Sequence, residues 1–329
     1  MTRHTHPAHE NGAALLTVLL LVAVMAVLAA AALERLKIGT RLTANGAAIE
    51  QARAYAMAAE TVALYRIGDL IQRDAARTTL VGNWAGQPTN FPIDGGIASA
   101  RVDDGGNCFN LNSLVDKTSE GWLIARPLAI GQFARLMTLA DVAGRDADAI
   151  AAAAADWIDS DAAPFPGGAE DAAYTNARIT YLPANTMMAD TSELRAVAGV
   201  TPALYARLRP FVCALPVTDL SAINVNTLRR DQALLLAMLV PTLDVSRAAS
   251  VVAARPELGW DSLATFWNLP QLAAASAVGE ERAQVKLSTR WFDLTLNVEL
   301  AGAEIEEHAL IDASQKPAKL TRRSYGEPS

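Results

Sequence analysis

Residues 13–33 form an apolar run without a single charge, and its first polar side chain is Thr17. As a helix the run is roughly 30 Å long, which matches the hydrocarbon core of a bilayer. That one segment fixes an end of the molecule in lipid. A short polar leader closing on Asn11-Gly12 abuts it directly. In a secretory signal peptide the small-residue cleavage site follows the apolar segment, and cleavage removes that segment. A cut between Gly12 and Ala13 would do the reverse, discarding residues 1–12 and leaving the helix on the mature protein. An uncleaved N-terminal anchor is the other reading of the same residues.

Helical periodicity continues past the span. Leu42, Ile49, Ala56, Ala59, Ala63, Ile67 and Leu70 recur at spacings that put them on one face, while Gln51, Arg53, Glu60, Arg66, Asp69 and Arg73 fall mostly elsewhere. A single helix is therefore expected over residues 13–76, half in lipid and half packed on a soluble body. Gly39 and Gly46 each cost about 1 kcal/mol relative to Ala and are expected places for unwinding or bending. Leader and helix together resemble the type IV prepilin and pseudopilin class. Its members are cut by a prepilin peptidase, keep the helix and lay a sheet across its C-terminal half.

A sheet is legible at two separated places. Residues 95–114 hold Ile97-Ala98-Ser99-Ala100-Arg101-Val102, an Asp103-Asp104-Gly105-Gly106 turn and a Cys108-Phe109-Asn110-Leu111-Asn112 segment. Residues 285–300 hold Phe292, Leu294, Leu296, Val298 and Leu300 alternating with polar side chains, the pattern of a half-buried strand. The apolar phase changes beside Arg290-Trp291, which predicts a bulge or turn there. A return strand over residues 303–311 would complete an antiparallel pair.

The residues between read as helices and loops, a large helical insertion in a small α+β domain. Glu193 to Pro202 has the apolar-Gly-apolar-Thr-Pro order of a helix-hairpin-helix turn, with Gly199 free to take φ > 0 and Thr201-Pro202 capping the next helix. A second unit of this kind, running from Ile223-Asn224-Val225-Asn226-Thr227-Leu228 to Phe266-Trp267-Asn268-Leu269-Pro270, lacks the expected glycine, since Leu239-Val240-Pro241-Thr242 stands there. Such hairpins can bind DNA through backbone amides. Here the net charge is −7 and arginines are scattered without a lysine cluster, so nucleic acid is not the expected partner.

Acidic residues crowd Asp156-Trp157-Ile158-Asp159-Ser160-Asp161 and Gly168-Ala169-Glu170-Asp171. So many carboxylates on short loops repel one another unless a cation neutralises them, and hard oxygen donors on a flexible loop suit calcium. Helix capping and solvated turns are the competing explanation. The only two cysteines, Cys108 and Cys213, have no CxxC spacing and no histidine nearby. They are either one disulfide closing a long loop or two buried free thiols.

The ordered set Cys108-Phe109-Asn110-Leu111-Asn112-Ser113-Leu114, Asp156 to Asp161, Gly168 to Asp171, Ala184-Asn185, Glu193-Leu194-Arg195 and Ile223 to Thr227 resembles the K-type minor pseudopilins of type II secretion. The resemblance spans essentially the whole chain. It implies an α+β pseudopilin fold whose helical insertion carries two helix-hairpin-helix or SAM-like modules. It also implies calcium held by Asp156, Asp159, Asp161, Glu170 and Asp171. The expected partners are I- and J-type minor pseudopilins, the major pseudopilin, prepilin peptidase and the inner-membrane secretion platform, with secreted substrates as a further contact. The location it implies is single-pass in the inner membrane, N-terminus cytoplasmic and body periplasmic. Basic residues on the two sides of the span do not fix that orientation by themselves.

With Ala13 first, the fifth mature residue is Thr17. Major pseudopilins resemble one another in carrying Glu there, able to pair with the N-terminal ammonium of an adjacent subunit. A carboxylate left in lipid without that partner is costly. A tip subunit has nothing above it to neutralise, so Thr17 predicts a tip position that starts pseudopilus assembly. Nucleophile, zinc-protease and phosphate-loop motifs are all missing from the sequence, and His308 is the sole histidine after the leader, so no enzyme activity is expected. A membrane-anchored hairpin protein of the competence type, binding DNA, is the alternative function. The expected organisation is leader 1–12, span 13–33, soluble helix 34–80, first sheet part 81–115, insertion 116–280 (modules about 116–216 and 220–280), final strands 281–313 and a mobile tail 314–329.

Overall fold

The computed structural model describes residues 10–175, 180–273 and 279–326, with no side-chain account before residue 13. Most of the leader, residues 1–9, and parts of the expected second module and tail lie outside the described residues. Helix α1 runs unbroken over Glu10–Arg73. Residues 13–33 are exposed on every side, as a lipid-facing segment must be in the absence of lipid. Among the described residues α1 is the one helix long and apolar enough to cross a membrane.

Gly39 and Gly46 do not unwind it, against expectation. Nothing lies within 4 Å of either position, so no neighbour competes for the backbone, and helical turns on both sides propagate through. The packed face is also rotated from the one periodicity suggests. Leu42 and Ile49 are exposed, whereas Ala48, Ala52, Ala56, Glu60, Ala63 and Ile67 are buried. Small side chains at these positions let the sheet approach closely. Glu60 is buried because Arg323 meets it from the C-terminal strand. Residues 34–47 pack on nothing among the described residues, a free stretch of about 20 Å between lipid and body.

Strands β1 (Thr89–Ile93) and β2 (Gly96–Asp104) precede the insertion. Within it, β3 (Phe109–Asn110), β4 (Val115–Lys117), β5 (Leu123–Ala125), β6 (Val212–Cys213), β7 (Ile223–Asn224) and β8 (Val285–Lys286) form three small two-stranded pairs, β3 with β6, β4 with β5 and β7 with β8. Strands β9 (Trp291–Leu300), β10 (Ala303–Asp312) and β11 (Lys319–Tyr325) follow. The main sheet is antiparallel with order β1-β2-β9-β10-β11. Helix α1 crosses β9 and β10, over Phe292, Leu294, Leu296 and Val298 and over Ile305, Ala309 and Ile311. At Gly96 a Cβ would fall 1.9 Å from the Glu299 carbonyl oxygen, so only glycine fits where β2 meets β9.

The phase change at residue 290 is a change of sheet. Val285 and Lys286 pair with Ile223 and Asn224 in the insertion, and the chain then bends into β9. The tail is not free, contrary to expectation: residues 319–325 form β11 on the edge of the sheet, held to β10 and anchored by Arg322 and Arg323. The domain limits move as well. Phe109, Leu111, Leu114, Val115 and Val285 are all buried in the insertion's core, so the insertion begins shortly after Asp104 and ends after β8, not at 116 and 280.

That core is continuous across the two expected modules. Helices α2 (Pro127–Leu139) and α3 (Gly144–Asp156) pack on each other; α4 (Asp171–Thr175) and α5 (Pro202–Leu208) follow, then α6 (Ala233–Leu239) and α7 (Val245–Ala253). The first hairpin turn matches its sequence reading. Gly199 sits at φ +85°, the Thr201 hydroxyl accepts the Leu204 N–H at 3.2 Å, and Pro202 opens α5. The element before it is a capped 3₁₀ turn, Thr191–Ala196, rather than an α-helix. The second turn does without glycine. Arg135 on α2 donates to the carbonyls of Ala237, Val240 and Leu243, satisfying the end of α6 that a glycine cap would otherwise serve.

Sheet and insertion meet at a buried polar knot. The Asp104 carboxylate accepts hydrogen bonds from the hydroxyls of Thr227 and Thr289, and from the Gly106 N–H at 2.9 Å. Asn107 donates to Thr227 at 3.0 Å, and Asn224 donates to the Thr78 carbonyl and the Thr289 hydroxyl. Beside the knot, Cys108 and Cys213 are joined as a disulfide, which settles the open alternative between paired and free thiols.

Candidate metal centre

Helix α3 ends on Asp156 because the chain turns there into a Pro- and Gly-containing loop. Asp156 is fully buried, and its two oxygens accept the backbone N–H groups of Phe165 at 2.9 Å and Ala169 at 2.7 Å. It thereby folds the loop back over the helix end. Gly168 is required at that closure, since a Cβ there would lie 2.0 Å from Asp156 Oδ2.

The folded loop converges three carboxylates. Asp159, Asp161 and Glu170 each present an oxygen within 4.8 Å of the others. Asp159 is 2% exposed and Glu170 7%, yet Asp159 Oδ1 and both Glu170 oxygens have no hydrogen-bond partner. Buried carboxylate oxygens left unpaired are costly, and two such residues converging with Asp161 make a site whose chemistry fits a cation. Asp161 is exposed and spends one oxygen on the Ala163 N–H at 2.8 Å. Burial, then the charges of Asp161, Asp156 and Glu170, push Asp159 up to about 7. Burial, then Asp156, Asp161 and Asp171, do the same for Glu170, also to about 7. Oxygen donors in this number and crowding suit a hard divalent cation rather than zinc.

Two of the five residues named from sequence act differently. Asp156 is occupied by backbone donors and shapes the loop, and Asp171 is exposed at the start of α4, outside the convergent group. Tyr174 is engaged elsewhere, its hydroxyl accepting the Ala198 N–H at 3.2 Å. Gly168 is the residue that sequence reasoning missed; the Gly167-Gly168 doublet is its only signal. Gly12 and Ala13 lie within α1. Thr17 turns its hydroxyl onto the Ala14 carbonyl at 2.9 Å, so its polar group is satisfied inside its own helix.

The comparisons with known proteins agree with this layout. The family described as "Type II secretion system (T2SS), protein K" matches residues 107–217 and again 223–290. Those stretches are the insertion as the structure bounds it. The chain is 35% identical to the type II secretion system protein K of Pectobacterium carotovorum, over 97% of each chain. It is 36% identical to that of Klebsiella pneumoniae (96% of this chain, 97% of the relative) and 39% to that of Aeromonas hydrophila, with the same coverage. A crystal structure of the GspK-GspI-GspJ complex from enterotoxigenic Escherichia coli superimposes with a TM-score of 0.74 at 30% identity, covering 84% of this chain and 96% of that one. The match takes in both hairpin segments and leads to a secretion protein, so the DNA-binding alternative is set aside. This chain belongs to the protein K family of type II secretion systems, the minor pseudopilins with a long N-terminal helix under a small sheet.

Proposed function

We propose that this chain caps the pseudopilus and starts its assembly, with its body in the periplasm and α1 anchored in the inner membrane. Prepilin peptidase would release residues 1–12, and the I- and J-type minor pseudopilins would join it at the tip above the major pseudopilin. The structural neighbour's description as a GspK-GspI-GspJ complex supports the first two partners. The observation that carries the tip position is Thr17. Its side chain is neutral, and its hydroxyl bonds within the helix, so it asks nothing of a subunit above. The role is structural, in keeping with the family. The secretion platform, and secreted substrates meeting the insertion at the top, complete the set of partners.

The mature protein is expected to begin at Ala13 by intact mass, with peptidase present. In that background Thr17→Glu should sharply reduce secretion, because an unpaired carboxylate in the bilayer costs about 2.5–3.5 kcal/mol. Thr17→Ser should not. Normal secretion by Thr17→Glu would remove the tip argument.

The reading extends to calcium, held by Asp159, Asp161 and Glu170 and neutralising their mutual repulsion. Calcium is expected to raise the unfolding midpoint of chelator-treated protein, by about 2.7 kcal/mol of stability at a hundredfold excess over Kd. Asp159→Asn with Glu170→Gln should erase that rise. Both carboxyls stand near 7, above their ordinary values, so the ion-free protein loses stability as pH climbs through that range. The ion's effect should accordingly be larger at about pH 7.5 than at about pH 5.5, where protons compete for the same oxygens. An effect of equal size at both values, or one surviving the double substitution, would place the ion elsewhere.

A further inference from the structure

Strand β11 carries two neighbouring arginines that leave it on opposite faces. Arg322 reaches into the insertion and donates to the carbonyls of Ala189 and Ala214, the latter at 3.1 Å. Arg323 turns the other way, to helix α1, where its Nε donates to Glu60 at 2.8 Å. One short strand at the end of the chain thus touches all three parts of the molecule.

On the α1 side the charges do not balance. Arg323 Nε also lies 3.4 Å from Glu307 Oε1 on β10, so two carboxylates share one guanidinium. Glu307 is 0% exposed, Glu60 is 6% exposed, and neither Glu307 oxygen has a hydrogen-bond partner. Among the described residues no second cation is paired with either carboxylate. From β9 the residues facing this point are Leu294, Leu296 and Val298, and on β10 itself they are Ile305 and Ala309. From β11 comes Tyr325, directly opposite Glu307 in register. From α1 comes Arg53, whose guanidinium lies over the Tyr325 ring at 5.8 Å and is paired with Glu50 at 2.9 Å. Burial pushes the Glu307 carboxyl up and Glu60 adds to the shift, while Arg323 and Tyr325 oppose it.

We propose that β11 is a pH-sensitive strap, which ties the insertion to helix α1 while Glu307 is protonated and loosens when Glu307 ionises against Glu60 around Arg323. Two buried negative charges against one positive leave an uncompensated charge in an apolar interface, and detaching β11 lets water reach it. The direction follows from the raised Glu307 value. Strap stability is complete at low pH and is lost as pH rises from the ordinary glutamate value of 4.5 through the raised one. The device sets how firmly the insertion is held over the helix that anchors the molecule.

Backbone hydrogen exchange of residues 319–325 in the full-length, detergent-solubilised protein tests this, after correction for intrinsic exchange rates. Protection is expected to fall between about pH 5.5 and pH 8, the direction that a carboxyl raised by burial requires. Glu307→Gln should keep the low-pH protection at both values. Glu60→Gln also leaves one carboxylate per guanidinium, and should remove the pH dependence in the same way if Glu307→Gln does not fold. Glu306→Gln, on the other face of β10, should leave it intact. Wild-type protection that does not change with pH, or a Glu307→Gln variant that keeps the wild-type response, would overturn the proposal.

Discussion

Asp104→Ala is expected to destabilise the protein by about 3–5 kcal/mol, since each buried donor left without its acceptor costs about 1–3 kcal/mol. Three donors converge on this carboxylate, the hydroxyls of Thr227 and Thr289 and the Gly106 N–H. Without it they stay buried and lose their acceptor. The loss falls between the two folding units, because Asp104 ends β2 while Thr227 belongs to the insertion. Calorimetry should therefore show more than a lower midpoint. The single transition is expected to broaden or split as sheet and insertion uncouple. Thr227→Val and Thr289→Val remove one donor each and should cost less. A midpoint unchanged in Asp104→Ala would mean the knot contributes nothing to holding the two units together.

Loss of the Cys108–Cys213 bond is expected to be as large. The residues it joins are 105 apart, and closing a loop of that size removes about 4–5 kcal/mol of unfolded-state entropy. Cys108→Ser with Cys213→Ser, or the wild type under reductant, should unfold at a markedly lower urea concentration and with a steeper slope, because the unfolded chain without the bond is less compact. The bond sits where β3 pairs with β6, so it ties the start of the insertion to the segment after α5. A disulfide in this position fits an oxidising compartment, which a body outside the cytoplasm would meet. Equal midpoints for oxidised and reduced protein would show that the loop stays closed in the unfolded chain.

The parts of the fold that could be read from sequence were those governed by local pattern. The charge-free run, the alternation from Phe292 to Leu300 and the Gly199-Thr201-Pro202 turn each carry their reason within a few residues. What failed depended on distant partners. Glu60 looks solvent-facing because nothing near it in sequence announces Arg323. The tail looks free because its strand character is weak until β10 offers an edge. Asp104 reads as an ordinary turn residue, and its partners are more than a hundred positions away. The crowding of acidic residues is legible in composition, and the family resemblance matches five of them to calcium; only the folded loop separates the three that converge from Asp156, which shapes it, and Asp171, which stands apart.

Strand order has a consequence for how the molecule is made. Strand β2 has no neighbour on its inner side until β9 arrives, with Asp104 beside Phe292, and the whole insertion is synthesised between them. The alanine face of α1 is likewise uncovered until β9 and β10 emerge. Because the insertion has its own continuous core, it can form first and bring its two ends together, shortening the search for the pairing of β2 with β9. A nascent chain thus carries an open sheet edge and a bare helix until its last strands have been made. The timing of synthesis, as much as the final contacts, decides whether that edge meets its own strand or another chain's.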